Sequence, residues 1–309
     1  MEERTVMRKI VRKDGNRVGF GALIYIVIGY GIMYWLPYLL SKLFPDEGIW
    51  AELDGIGSIT AVLAGITFLF LFFRKQGTAK QLFVKEKKMT PAILLGAVCV
   101  MSCAKLAGGF LASVPEVILN MFGYSMMSGL EAVNGIGRAS FTLFLYAGFI
   151  GPIAEELVYR GFLMRHLQKY GKMAALVGSA VIFGLMHCNL GQSISAGFAG
   201  LVFAYVAMEY SVIWSIVLHI FNNLVIGDLL GRALSGCSEV VQMMVPAALM
   251  VVFAIVGIVI VIRKGRELTA WRRENAWQKP RMRWVITSVG AILFVVFTLV
   301  FTLRSIGPM

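Results

Sequence analysis

The sequence predicts an all-α, polytopic transmembrane helical bundle of about nine spans, with eight as the alternative count and the N-terminus cytoplasmic. Three observations predict it. Hydrophobic residues make up 58% of the 309 positions and charged ones only 15%, and the mean hydropathy is +0.77, a balance far from that of a soluble domain. Apolar runs near the roughly 20 residues needed to cross a bilayer recur along the chain. Lys and Arg gather on alternate connections between those runs, as they do on the cytoplasmic side of membrane proteins.

The predicted spans are Val18 to Leu40, Ile56 to Phe73, Pro91 to Val114, Phe141 to Met164, Met173 to Cys188, Ser193 to Met208, Ser211 to Leu230, Met243 to Ile262 and Trp284 to Leu303. The fifth and sixth are the shortest. With the N-terminus inside, the cytoplasmic segments hold 23 of the 29 Lys and Arg residues, whereas the opposite connections carry Lys42, Arg138, Arg232 and Arg304 beside an acidic Pro45 to Asp54. The charge pattern therefore agrees with the hydropathy pattern.

The basic N-terminal segment leads into an apolar stretch longer than a signal-peptide core, without a small-x-small cleavage site, so it is expected to remain as the first helix. Thr90-Pro91 reads as a helix cap followed by a first-turn proline. Pro115 to Ser140 reads as a long outer connection lying on the membrane surface, either an ordinary loop or a lid. Trp271, Trp277 and Trp284, interleaved with arginines, read as an interfacial segment. Cys99, Cys103, Cys188 and Cys237 show neither a CxxC pair nor a disulfide spacing. The formal charge of +12 needs no nucleic-acid partner, because basic loops facing an anionic leaflet account for it. The expected partners are membrane lipids and a membrane-associated peptide or protein. Without a soluble domain, linker or repeat, residues 1–309 read as one integral-membrane domain of the cell membrane, with a chemical core at about 141–230.

That core carries the ionisable groups. Each ion at membrane depth costs roughly 3 kcal/mol or more on insertion scales, so Glu155, Glu156 and Arg160 inside Phe141 to Met164 point to function. Residues four apart share a helix face, which pairs Glu156 with Arg160 and leaves Glu155 about 100° away without an in-helix cation. Glu156 is then the fixed ion, and Glu155 the carboxylate suited to exchange protons near neutrality. Of the three histidines, His166 falls in a cytoplasmic turn and reads as a solvated residue. His187 and His219 fall within spans, with Phe183 four residues before the first and Asn223 four after the second. At 1.5 Å per residue, Glu155, His187, His219 and Asn223 all lie between about 12 and 21 Å deep. They can meet around one cavity if their helices touch. Lys105, within the third span, reads as a snorkelling or paired cation. Glu209 and Asp228 lie near span ends, where water is available. The glycines between Gly197 and Gly200 read as a close helix approach.

Glu155-Glu156-x-x-x-Arg160, then Phe183-x-x-x-His187, then His219-x-x-x-Asn223 resemble the three ordered motifs of the CPBP family, the type II CAAX prenyl endopeptidases and the bacteriocin-processing or Abi-type membrane proteins. The resemblance implies an intramembrane peptidase in which Glu155 and His187 activate water while His219 and Asn223 stabilise the oxyanion. It also implies that Glu156, Arg160 and Phe183 support them. No cofactor is favoured, since HExxH is missing; the zinc alternative would use Glu155, His187 and His219. A noncatalytic bacteriocin-immunity or scaffold protein and a proton-coupled transporter are the competing function classes.

Overall fold

A computed structural model of the chain describes residues 2–43, 55–126, 140–277 and 279–309. The helices are α1 (Glu2–Leu43), α2 (Ile56–Phe73), α3 (Pro91–Asn120), α4 (Phe141–Tyr170), α5 (Lys172–Leu185), α6 (Leu190–Glu209), α7 (Val212–Leu234), α8 (Glu239–Arg263), α9 (Gly265–Glu274), α10 (Lys279–Ile286) and α11 (Val289–Arg304). The described sheet is a two-residue antiparallel pair, Tyr124–Ser125 against Gly307–Pro308. The chain is thus an all-helical, multi-pass membrane protein.

Among the described residues seven helices, α1 to α4 and α6 to α8, are long and apolar enough to cross a membrane. The predicted fifth and ninth spans fall on shorter apolar helices, α5 with 14 residues and α11 with 16. At 1.5 Å per residue, α5 is about 21 Å long, less than a hydrocarbon core of about 30 Å. The predicted ninth span is also broken near its start: α10 ends at Ile286, and α11 begins at Val289 with Ser288 before it.

Local chemistry explains several boundaries. The Thr90 hydroxyl accepts from the Ile93 amide with Pro91 in the first turn, as expected from the Thr-Pro pair. Ser140, Asn189 and Ser211 cap α4, α6 and α7 in the same way. The third span runs further than expected, because α3 continues through Pro115 to Asn120 and shortens the outer connection. The rest of the proposed lid, residues 127–139, lies outside the described residues, as do Arg138 and the side chain of Asp228.

α6 lies between α3 and α5, α8 packs on α3, α1 packs on α2 and α11, and α7 packs on α4. Small residues permit the closest of these approaches. A Cβ on Gly184 of α5 would stand 2.5 Å from the Ser193 carbonyl of α6, and one on Gly200 would stand 3.1 Å from an Arg160 nitrogen. The buried core collects Val158, Tyr159, Phe162 and Leu163 of α4, with Phe183 of α5 and Phe203 of α6. By contrast, Val251, Val252, Ile255, Val259 and Ile262 of α8 are exposed, the surface expected of a lipid-facing helix.

Candidate active site

α4 does not keep one winding. It is α-helical through Glu156 and π-helical from Leu157 to Met164, after an earlier π stretch at Tyr146–Ile150; α7 likewise turns π-helical from Phe221 to Leu229. Wide turns of this kind are rare and concentrate at functional positions. Here they occur in the two helices that carry the carboxylates, His219 and Asn223.

Glu156 and Arg160 form the expected pair. Both are fully buried, with Arg160 Nη1 3.0 Å from Glu156 Oε1. Partners from three other helices add to the pair, although the buried Arg160 Nε finds no hydrogen-bond partner among the described residues. The His219 Nδ1–H donates to Glu156 Oε1 at 2.9 Å, and the Ser215 hydroxyl donates to Oε2 at 2.5 Å. Arg160 Nη2 donates to the Gly200 carbonyl at 3.3 Å, in the space that glycine leaves open. The guanidinium also lies 4.2 Å from the centre of the Phe183 ring, where the aromatic face favours a cation. Glu156 therefore serves as an anchor joining α4 to α7, with Arg160 extending the link to α5 and α6.

That anchor sets the orientation of His219. An ionised carboxylate only accepts, so the proton on Nδ1 faces Glu156 and Nε2 points the other way. Nε2 lies 3.7 Å from Glu155 Oε2. Phe203 stacks on the imidazole at 4.5 Å between ring centres, and Phe183 meets it edge-on at 5.8 Å. The ring is held on its edge and on one face.

His187 lies just beyond the end of α5, in the turn before α6, and not inside a span as expected. Cys188 follows in the left-handed region at φ 50°, which reverses the chain. His187 Nδ1 is 2.9 Å from the Phe183 carbonyl; that oxygen can only accept, so Nε2 is left as the free ring nitrogen. Its ring meets Phe183 at 5.0 Å, and Glu155 and His219 both lie within electrostatic range of it. Glu155, His187 and His219 are thus brought to one place, with Phe183 wedged among His187, His219 and Arg160.

Asn223 is placed differently. Its amide donates to the Ala147 carbonyl at 3.2 Å and accepts from Asn222 at 2.7 Å, while Lys105 Nζ donates to Asn222 at 2.8 Å. Among the described hydrogen bonds none joins Asn223 to His219. Lys105, expected to snorkel or pair, instead heads this amide relay.

Among the described residues no three His, Cys, Asp or Glu side chains converge as a metal-ion ligand set, Glu155, His187 and His219 included.

Glu155 stands at the inner end of a cavity of about 200 Å³ shared with α1 and α2, whose lining includes Tyr25, Gly29, Val62 and Tyr146. Its side chain keeps 18% of its surface exposed, against none for Glu156. Neither Tyr25 nor Tyr146 was foreseen. Ser215 could have been, since it precedes His219 by four residues, the same one-face spacing that flagged the other pairs. The buried Tyr159 hydroxyl has no hydrogen-bond partner among the described residues and lies within electrostatic range of Glu155.

His166 differs from expectation. It is buried, packs against Phe73 at 5.4 Å and bonds to Asp14 Oδ1 at 3.1 Å, because α1 runs alongside the end of α4 and supplies an acid. Trp271, in the segment expected at the interface, donates to Glu209 at 3.0 Å.

Comparison with known proteins agrees with the motif reading. A family model described as "Type II CAAX prenyl endopeptidase Rce1-like" matches residues 137–225. The chain is also similar to "Putative membrane peptidase YdiL" of Bacillus subtilis (strain 168), at 23% identity over 211 residues that cover 66% of this chain and 85% of that protein. No solved structure matches. The resemblance to the type II CAAX prenyl endopeptidases thus covers the region that holds all three motifs, in a chain that is a multi-pass membrane protein.

Proposed function

We propose that this chain is an intramembrane endopeptidase that hydrolyses a peptide bond of a membrane-associated or lipidated protein by glutamate-activated water, without a metal. The reading rests on one observation above the rest: Glu155, partly exposed in a cavity, faces a His219 Nε2 that the buried Glu156 has oriented.

In this reading Glu155 takes a proton from water, while the free Nε2 of His187 accepts a hydrogen bond from the same water. The water oxygen bonds to the scissile carbonyl carbon, and the carbonyl becomes an oxyanion. His219, protonated at Nε2, and the second amide hydrogen of Asn223 donate to it; preorganised donors in a water-poor site are worth several kcal/mol in the transition state. Collapse breaks the carbon–nitrogen bond, and the leaving nitrogen takes the proton held by Glu155. Glu156, Arg160, Ser215 and Phe183 position the imidazoles and touch no reacting atom. Lys105 and Asn222 set Asn223.

The membrane peptidomes of cells bearing the native chain or Glu155→Gln test the reaction. Products present with the native chain and missing with a well-inserted Glu155→Gln are expected; identical peptidomes would reject hydrolysis. Metal analysis of purified active protein tests the mechanism separately. Stoichiometric zinc whose removal and return track activity would replace the glutamate–water scheme.

A further inference from the structure

The cavity that ends at Glu155 is built mostly from outside the family-matched region. Eight of its eleven lining residues come from α1 and α2, whereas the match spans 137–225. The chemistry and the surroundings of the bond to be cut are therefore supplied by different parts of the chain. Of the lining residues Tyr30 and Met33 of α1 are 39% and 49% exposed, so the cavity is reached from the outer surface of the bundle.

Its walls combine two kinds of group. Met33, Ala61 and Val62 are apolar, while Tyr25, Ser58 and Tyr146 bring hydroxyls. An extended peptide at membrane depth must have its backbone polar groups met, a demand that a hydrocarbon tail does not make. The hydroxyls suit a peptide. Size narrows the choice further: about 200 Å³ is below the roughly 300–1,000 Å³ of pockets that enclose drug-sized ligands. One apolar side chain fits that space better than a long lipid chain.

Gly29 marks the limit of the space. A Cβ there would meet no heavy atom within 4 Å, so a substituent at position 29 starts into open space beside the cavity lining. Gly31, two residues along the same helix, is equally open but does not line the cavity.

We propose that the space between Gly29 of α1 and Val62 of α2 is the side-chain subsite of the substrate, that it takes an unmodified apolar residue of Val-to-Phe size beside the scissile bond, and that Gly29 sets its upper size. The inference rests on the hydrolytic reading above.

The test compares membrane peptidomes from cells carrying the native chain, Glu155→Gln, Gly29→Leu, Gly31→Leu and Val62→Ala, with each variant's insertion and melting temperature checked. Native products absent with Glu155→Gln should carry Val, Ile, Leu, Met or Phe next to the cut. Gly29→Leu should shift that position toward Ala and Gly by about tenfold or more, the discrimination typical of a methylene-scale change in a pocket. Val62→Ala, which enlarges the α2 wall and cannot clash, should admit larger residues, and Gly31→Leu should match the native chain. A native product set that neither Gly29→Leu nor Val62→Ala reshapes, or one dominated by charged or lipidated flanking residues, overturns the subsite while leaving hydrolysis standing. Identical native and Glu155→Gln peptidomes overturn both.

Discussion

Glu156 and Glu209 are both nearly inaccessible glutamates tied to several partners, yet they are built in opposite ways. Glu156 sits in mid-bundle, held by an arginine on its own helix, a histidine and a serine, all three buried. Glu209 sits at the end of α6, held by Lys87, by Lys172 at 3.1 Å and by Trp271, and its two lysines are 58% and 43% exposed. Arginine's rigid fork suits a dry site that needs fixed geometry, whereas lysines keep their heads in water and tolerate slack. The first carboxylate orients a histidine that the proposed reaction uses. The second ties the 82–90 segment to the α6–α7 turn, where backbone bonds from Glu86 to Tyr210 and from Lys87 to Glu209 run alongside.

The sharpest way to break the contrast is Arg160→Met. It strands Glu156 as a buried unpaired charge and should cost about 3–5 kcal/mol, read as a large fall in the melting temperature of the detergent-purified protein. Adding Glu156→Leu should recover much of that stability without recovering hydrolysis, because His219 has lost its anchor. A single variant that melts like the native protein would show the pair to be dispensable.

Ser215→Ala removes a buried hydrogen bond to the same carboxylate and should cost about 1.5–3 kcal/mol. Product formation should fall with it, since Glu156 is then freer to turn. Full activity in Ser215→Ala would mean that Arg160 and His219 alone hold Glu156.

At the other carboxylate the effects should be smaller. Glu209→Gln should cost about 1 kcal/mol, because both lysines can return to water and the amide oxygen can still accept from Trp271. Activity per inserted molecule should stay at the native level; a loss as deep as that of Glu155→Gln would place Glu209 in the machinery.

Lys87→Ala should have the smallest effect, under about 1 kcal/mol and weaker still in high salt. The Glu209 hydrogen bond holds the Lys87 ammonium above the usual lysine range. Its share of the tie is thus complete at neutral pH and is lost only as the pH climbs through the raised value. A thermal-melting series in salt and pH that shows the reverse trend would contradict this assignment.

These two glutamates also mark what could be read in advance. The Glu156–Arg160 pair follows from helix spacing and was legible, as were the apolar spans, the Thr90-Pro91 cap and the close glycine contacts of α6. His219 near Glu155 was legible only as a shared depth, which says nothing about which helices touch. His166 read as solvated because its partner, Asp14, is 152 residues away on α1. Asn223 was legible as sharing the depth of His219, but its bond to the Ala147 carbonyl was not, because Ala147 lies 76 residues away on α4.

By itself the sequence determined that the chain is helical, that it crosses a membrane, and that two carboxylates, two histidines and an arginine must be accommodated there. Those outcomes rest on local or one-dimensional quantities: hydropathy over a helix length, the three-to-four-residue repeat and the cost of a bare charge in lipid. Only the tertiary structure decided which glutamate became the anchor of His219, where α5 stops so that His187 lies in a turn, and that α1 and α2 wall the cavity before Glu155. These depend on contacts between helices far apart in the chain, and each is set by which surfaces pack together instead of by any spacing along one segment.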